Sequence, residues 1–305
     1  HAVRYIKEHK GDDPFFIYVA NTAPHWPMHA TEKEIAAYKG FYDKGWDAVR
    51  KERYARQLKM GLIDPKWKNS PRDGKATSWT DAKNKAWELR LMETYAAMVT
   101  NMDAGMGRVV DALKVTGQYD NTLILFLADN GGCAVSMGRR NGIDYRDLNP
   151  ELLKPMGKGD LQFDMIPRRT RDGRVVKQGT EVMTGGADTY HGYGLAWANA
   201  SNTPFREYKH WVHEGGISSP LIAHWPKGQS HGPSTHGPKP PSHGPKPSSH
   251  GPMGRQKGEP NKWARAQTGL GQLARKWARP NGPGPAGPGL GLNAVFLDVF
   301  FYISQ

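Results

Sequence analysis

The chain has 305 residues, a single cysteine and a formal net charge of +13. One cysteine excludes an internal disulfide framework, and no apolar run is long enough for a transmembrane helix. The charge does not point to a nucleic-acid partner: residues 1–228 hold 33 Lys and Arg against 27 Asp and Glu, residues 229–305 hold 9 against 2, and so about half of the excess sits in a short tail.

The chain opens on His1 and not on Met, as a fragment or a processed start would. Ala2 to His9 predicts the end of an amphipathic helix, with Val3 and Ile6 on one face, broken by Gly11-Asp12-Asp13-Pro14. Phe15 to Ala20 predicts a buried strand. It runs into Pro24-His25-Trp26-Pro27, where the two prolines exclude a helix and are expected to hold the segment extended. His25 is thereby presented from a stiff loop at the carboxyl end of a strand; a loop histidine bonded to backbone is the plainer alternative. Thr31 with Glu34 resembles a capping box opening a short helix through Tyr38. A further helix is predicted from Ala48 to Met60, with Arg50-Lys51-Glu52-Arg53 as a solvated face.

Ala82 to Thr116 carries the strongest helical period. Leu91, Tyr95, Val99, Met102, Met106, Val109 and Leu113 recur at steps of three and four, and Gly117 ends the run. Thr122 to Ala128 is then a continuous apolar run that stops on Asp129-Asn130-Gly131-Gly132, which predicts a buried central strand of a parallel sheet. Ligands of open α/β sheets sit beyond the carboxyl ends of strands. Asp129 and Asn130 there offer hard oxygen donors that suit Ca²⁺ or Mg²⁺, although Asp, Asn and Gly also dominate ordinary turns.

Residues 134–192 are basic, rich in Gly and short of apolar period, and predict a long loop region with small elements, a lid or specificity segment. Gly215-Gly216 implies a tight turn or a close backbone approach, and Pro220 to Trp225 predicts another strand. After Gly228 the sequence becomes a His-Gly-Pro repeat, at His231, His236, His243 and His250, whose composition cannot bury a core. Residues 229–260 are read as a linker and 261–305 as a tail. In that tail, 261–279 could form a basic helix, and Leu290 to Ile303 either a stray core strand or an aggregation-prone end.

Pro24-His25-Trp26-Pro27, Asp129-Asn130-Gly131-Gly132, and Lys209 followed by Glu214-Gly215-Gly216 each flank a predicted strand. In this order, with Met98-Val99-Thr100-Asn101-Met102-Asp103 and Asp120-Asn121-Thr122 between them, residues 1–228 resemble the sulfatase family, and within it the bacterial arylsulfatases of the alkaline-phosphatase-like superfamily. The resemblance implies an α/β fold: a partial alkaline-phosphatase-like sandwich with a mostly parallel central sheet flanked by helices, followed by a disordered tail. It implies a sulfate ester substrate and an exported, often periplasmic enzyme. Asp129 and Asn130 would be two ligands of one Ca²⁺, while His25 and Lys209 would contact the sulfate and the departing oxygen. The family nucleophile is a formylglycine made in a Cys/Ser-x-Pro-x-Arg signature. No such signature occurs in this sequence, since Cys133 is followed by Ala134-Val135-Ser136-Met137. The paired aspartates that complete the family's calcium site are absent too, so the chain is expected to be inactive alone. A phosphodiesterase or phosphonate hydrolase of the same superfamily, and a non-catalytic protein binding sulfated polyanions, are the rival readings.

Overall fold

The computed structural model describes residues 1–139, 153–229 and 293–299. The His-Gly-Pro repeat, the basic helix considered over 261–279 and residues 140–152 of the expected lid or specificity segment lie outside them. Helix α1 (Ala2–Glu8) buries Ile6, and strand β1 (Phe16–Asn21) follows. Helix α2 (Glu32–Ala36) opens on the expected capping box, with Thr31 accepting from the Glu34 backbone and Glu34 reaching back to the Thr31 N–H. Helices α3 (Gly45–Lys59) and α4 (Lys85–Val115) lead through a 3₁₀ turn into β2 (Thr122–Ala128). Helix α5 (Gly194–Ser201), the single turn α6 (Glu214–Ile217), strand β3 (Leu221–His224), the turn α7 (Pro226–Gln229) and strand β4 (Asn293–Val299) complete the elements among the described residues.

The four strands form one mixed sheet in the order β1-β4-β2-β3. β4 runs parallel to both β1 and β2, and β3 closes the edge antiparallel to β2. Of the two readings of Leu290–Ile303, the core strand therefore holds over Asn293–Val299, and it takes the centre of the sheet. The reason is visible in its neighbours. Val295 is fully buried with Ile6, Val109, Ala112, Leu113 and Ile124, and the Asn293 side chain accepts a bond from the Phe15 N–H at 3.1 Å.

Three expectations need correction. β1 is not buried on both faces: Phe16 and Tyr18 stand exposed, while Ile17 and Val19 pack on the cluster below. The Pro24–Pro27 segment turns and does not extend; both X–Pro bonds are cis, and the His25 N–H donates to Thr22 O at 3.0 Å. Arg50 is not solvated. It is buried, and its guanidinium donates to Ser70 O, Ser70 Oγ and Asn199 O, so a charge inside the helix face is satisfied by neutral acceptors.

At 31 residues α4 is about 46 Å long, which lets it serve two cores. Its second half packs with the sheet through Val109, Ala112 and Leu113. Its first half carries Trp87, Leu91, Met92 and Met98 into a cluster with Trp46 and Trp197. Within the first turn, Glu88 is buried, and both of its oxygens accept from the Arg139 guanidinium, which also donates to Tyr193 O at 2.7 Å and lies over Trp87. That fork fastens the chain just beyond Cys133 to the helix.

His191 is fully buried edge-on against Trp87, and burial holds its pKa down to about 4. The folded chain thus keeps it neutral, whereas the unfolded chain takes up a proton below about pH 6.5. Stability should fall as pH drops from about 6.5 to about 4, by at most about 3 kcal/mol from this group. Urea unfolding at a series of pH values is expected to show a shallower acid slope in His191→Phe. An unchanged slope would assign the acid sensitivity elsewhere.

Candidate active site

The carboxyl ends of β1 and β2 and the loop from Asn202 to Gly216 meet at one place. Their approach is set by glycines. A Cβ on Gly131 would fall 1.7 Å from Gly215 O, and one on Gly215 would fall 2.2 Å from the carbonyl oxygens of Arg206 and Glu207. With no side chains there, the Gly131 N–H donates to Gly216 O at 3.0 Å and the Lys209 N–H to Gly132 O at 3.1 Å. Asn202 holds the same junction. Its Oδ1 accepts from the Gly132 N–H at 2.8 Å, and its Nδ2 donates to Glu207 O and Gly215 O, each at 2.8 Å. The close backbone approach expected at Gly215-Gly216 is present. The part played by Asn202 left no trace in the sequence, because a lone Asn before Thr-Pro looks like any turn residue.

This junction carries Lys209 to His25, residues 184 apart in sequence, with Lys209 Nζ 3.1 Å from His25 Nε2. Both side chains are buried. His25 Nδ1 lies 2.6 Å from Trp26 O, an acceptor, so the proton belongs on Nδ1 and the Nε2 lone pair accepts from the Lys209 ammonium. Burial lowers the pKa of His25, and the Lys209 charge lowers it further against the bond to Trp26 O. Burial also lowers the pKa of Lys209, opposed by the carboxylate of Asp129, whose negative charge favours the ammonium. The pair is thus a neutral imidazole and a desolvated cation sharing one hydrogen bond, with a carboxylate near enough to act on the cation. A desolvated ammonium of this kind strongly attracts an anion's oxygens. An anion seated there would in turn raise His25 toward the protonated, proton-donating form.

Asp129 is exposed at the end of β2. Asn130 is half-buried, and its Nδ2 donates to Gly131 O at 2.9 Å, which leaves Oδ1 as an acceptor. Both are oxygen donors of the type that holds a hard cation, but Ca²⁺ takes six to eight oxygens. Among the described residues no group of three or more His, Cys, Asp or Glu could hold a metal. Donor type fits; donor number does not. Cys133 is buried and accepts a hydrogen bond from Trp26 Nε1 at 3.3 Å, a structural place behind the His25 loop.

The chain matches the family described as Sulfatase over residues 1–250. It is 34% identical over 224 residues to an uncharacterized sulfatase of Schizosaccharomyces pombe, an alignment covering 72% of this chain and 36% of that protein. It is 31% identical over 231 residues to an arylsulfatase of Klebsiella aerogenes, covering 75% and 44%. A multifunctional alkaline phosphatase superfamily protein of Trinickia caryophylli, PehA, is 30% identical over 134 residues, covering 43% and 26%. The chain thus spans less than half the length of each of these relatives.

Proposed function

This chain belongs to the sulfatase family, and we propose that His1–Gly228 is part of the catalytic domain of a sulfuric ester hydrolase, within an alkaline-phosphatase-like sandwich. The observation that supports this most is the buried Lys209–His25 pair, held at the strand ends beside Asp129. Lys209 would bind a sulfate oxygen and offset the charge that develops on it. His25 would lie within reach of the departing ester oxygen and, once protonated, donate to it. Asp129 and Asn130 would be two ligands of a Ca²⁺, which when bound would draw charge from the sulfate oxygens. The remaining ligands are not among the described residues, so no step is assigned to that ion. The formylglycine of the family has no counterpart signature in this sequence, and no step is assigned to it either.

The 305-residue chain therefore binds sulfate and does not turn over its esters. The test is incubation of the 305-residue chain with 4-nitrophenyl sulfate, with and without calcium, alongside calorimetric titration with inorganic sulfate. Sulfate binding without release of 4-nitrophenol is the expected result. Calcium-dependent release that Lys209→Met abolishes would overturn the inactivity, and no sulfate binding at all would overturn the reading of the site.

A further inference from the structure

The basic stretch that follows Cys133 builds a cavity beside the loop that carries His25. Residues 153–178 carry seven Lys and Arg against three Asp and Glu. Within them the chain doubles back. Arg169 and Val175 bridge antiparallel, the Thr170 N–H donates to Arg174 O at 2.8 Å, and the Gly173 N–H donates to Thr170 O at 3.0 Å. This hairpin lines a cavity of about 480 Å³ together with Pro27 and Tyr190, a volume suited to a small organic ligand. Pro27 lies two residues after His25, at most about 7 Å of chain. The Trp26 ring stands 4.5 Å from the His25 ring and 5.9 Å from that of Tyr190. An aromatic wall therefore runs from the Lys209–His25 pair to the cavity.

Two features of the cavity bear on what it would hold. Arg174 is balanced by Asp172 and Asp188. Arg171 also lines the cavity, but its Nη2 donates to Gly157 O at 2.9 Å and its Nη1 to Asp160 O at 3.2 Å. Backbone carbonyls orient this guanidinium without cancelling its charge. Its planar fork is matched to sulfate or sulfonate oxygens. Met156, Pro167, Val176 and Tyr190 make other parts of the same lining apolar. An apolar ring body with an anion at its far end satisfies both.

We propose that this cavity is a subsite for the organic body of the ligand and that Arg171 holds a second negative group on it. The preferred ligands are then disulfated ring compounds, with one sulfate at Lys209 and His25 and the other on Arg171. This rests on the sulfate-ester reading of the Lys209–His25 pair.

Sulfonates test it without any need for turnover. The full chain is titrated calorimetrically with naphthalene monosulfonate, naphthalene disulfonate and the longer biphenyl disulfonate. At least one disulfonate is expected to bind roughly tenfold tighter than the monosulfonate, since the second contact becomes intramolecular. Arg171→Gln, which keeps a donor for the two carbonyls but loses the charge, should remove that advantage. Arg168→Gln, which removes an equal charge from a residue that does not line the cavity, should keep it. The subsite is overturned if neither disulfonate shows the advantage, if it survives Arg171→Gln, or if Arg168→Gln removes it equally. Lys209→Met separates the two levels. If it leaves monosulfonate affinity unchanged, the sulfate-site reading fails. If it weakens both ligands while Arg171→Gln spares the disulfonate, only the subsite fails.

Discussion

Lys209→Met is expected to weaken binding of inorganic sulfate about ten- to hundredfold, the loss of a charge-assisted hydrogen bond worth roughly 1.5–3 kcal/mol. Methionine keeps most of the side-chain volume in a place that is 95% shielded from solvent, Lys209 being 5% exposed, so the change removes charge with little change of shape. Burial also gives the prediction a pH signature. Because desolvation lowers the Lys209 pKa, wild-type affinity should decline on the alkaline side earlier than an ordinary lysine would cause. The Met variant should show no such decline. His25→Gln is a companion test, since its amide can still accept from Lys209. Its sulfate affinity should stay near wild type at neutral pH, where His25 is neutral. Calorimetry that finds wild-type affinity in Lys209→Met would remove this lysine from the anion site.

Trp197→Ala is expected to destabilise the fold by about 3–5 kcal/mol, the range for deleting a fully buried aromatic side chain. Trp197 is 0% exposed on α5. Its ring stands edge-on to Trp46 at 5.4 Å and to Tyr42 at 5.7 Å, and its Nε1 donates to Glu88 O at 2.9 Å. Truncation would open a cavity among these rings and remove the indole donor from the Glu88 carbonyl in the first turn of α4. Against a typical total of about 5–15 kcal/mol, that is a large fraction. Trp197→Phe should cost less, because it keeps the edge contacts and loses the hydrogen bond. Far-UV circular dichroism in urea reads the shift in midpoint. A loss under about 1 kcal/mol would mean that the aromatic cluster is not packed as described.

Elements with a strong local signal were legible in the chain. The step of three and four from Leu91 to Leu113 marks α4 because that period alone puts the apolar side chains on one stripe. The Thr122–Ala128 run and the strand at Leu221–His224 stood out by apolar continuity between turn residues. Thr31 and Glu34 showed the start of α2, and His25, Lys209, Asp129 and Asn130 could be singled out because each closes or flanks such an element. What the sequence concealed was non-local. Arg50 looked like one more surface charge until Ser70 and Asn199 supplied its acceptors. β4 looked like a loose end, since nothing in Asn293–Val299 says that β1 and β2 leave room for a parallel strand between them.

By itself, then, the sequence determined helices α1 to α4, three of the strands, the family and the candidate residues, because periodicity, capping and turn chemistry act over a few residues; α5, which carries Trp197 into the core, had no such signal. Only the tertiary structure decided which of those residues meet. Lys209 reaches His25 because Gly131, Gly215 and Gly216 let three backbone segments approach without side chains between them, and because Asn202 ties them with three hydrogen bonds. Contacts across nearly two hundred residues are set by packing and not by local preference.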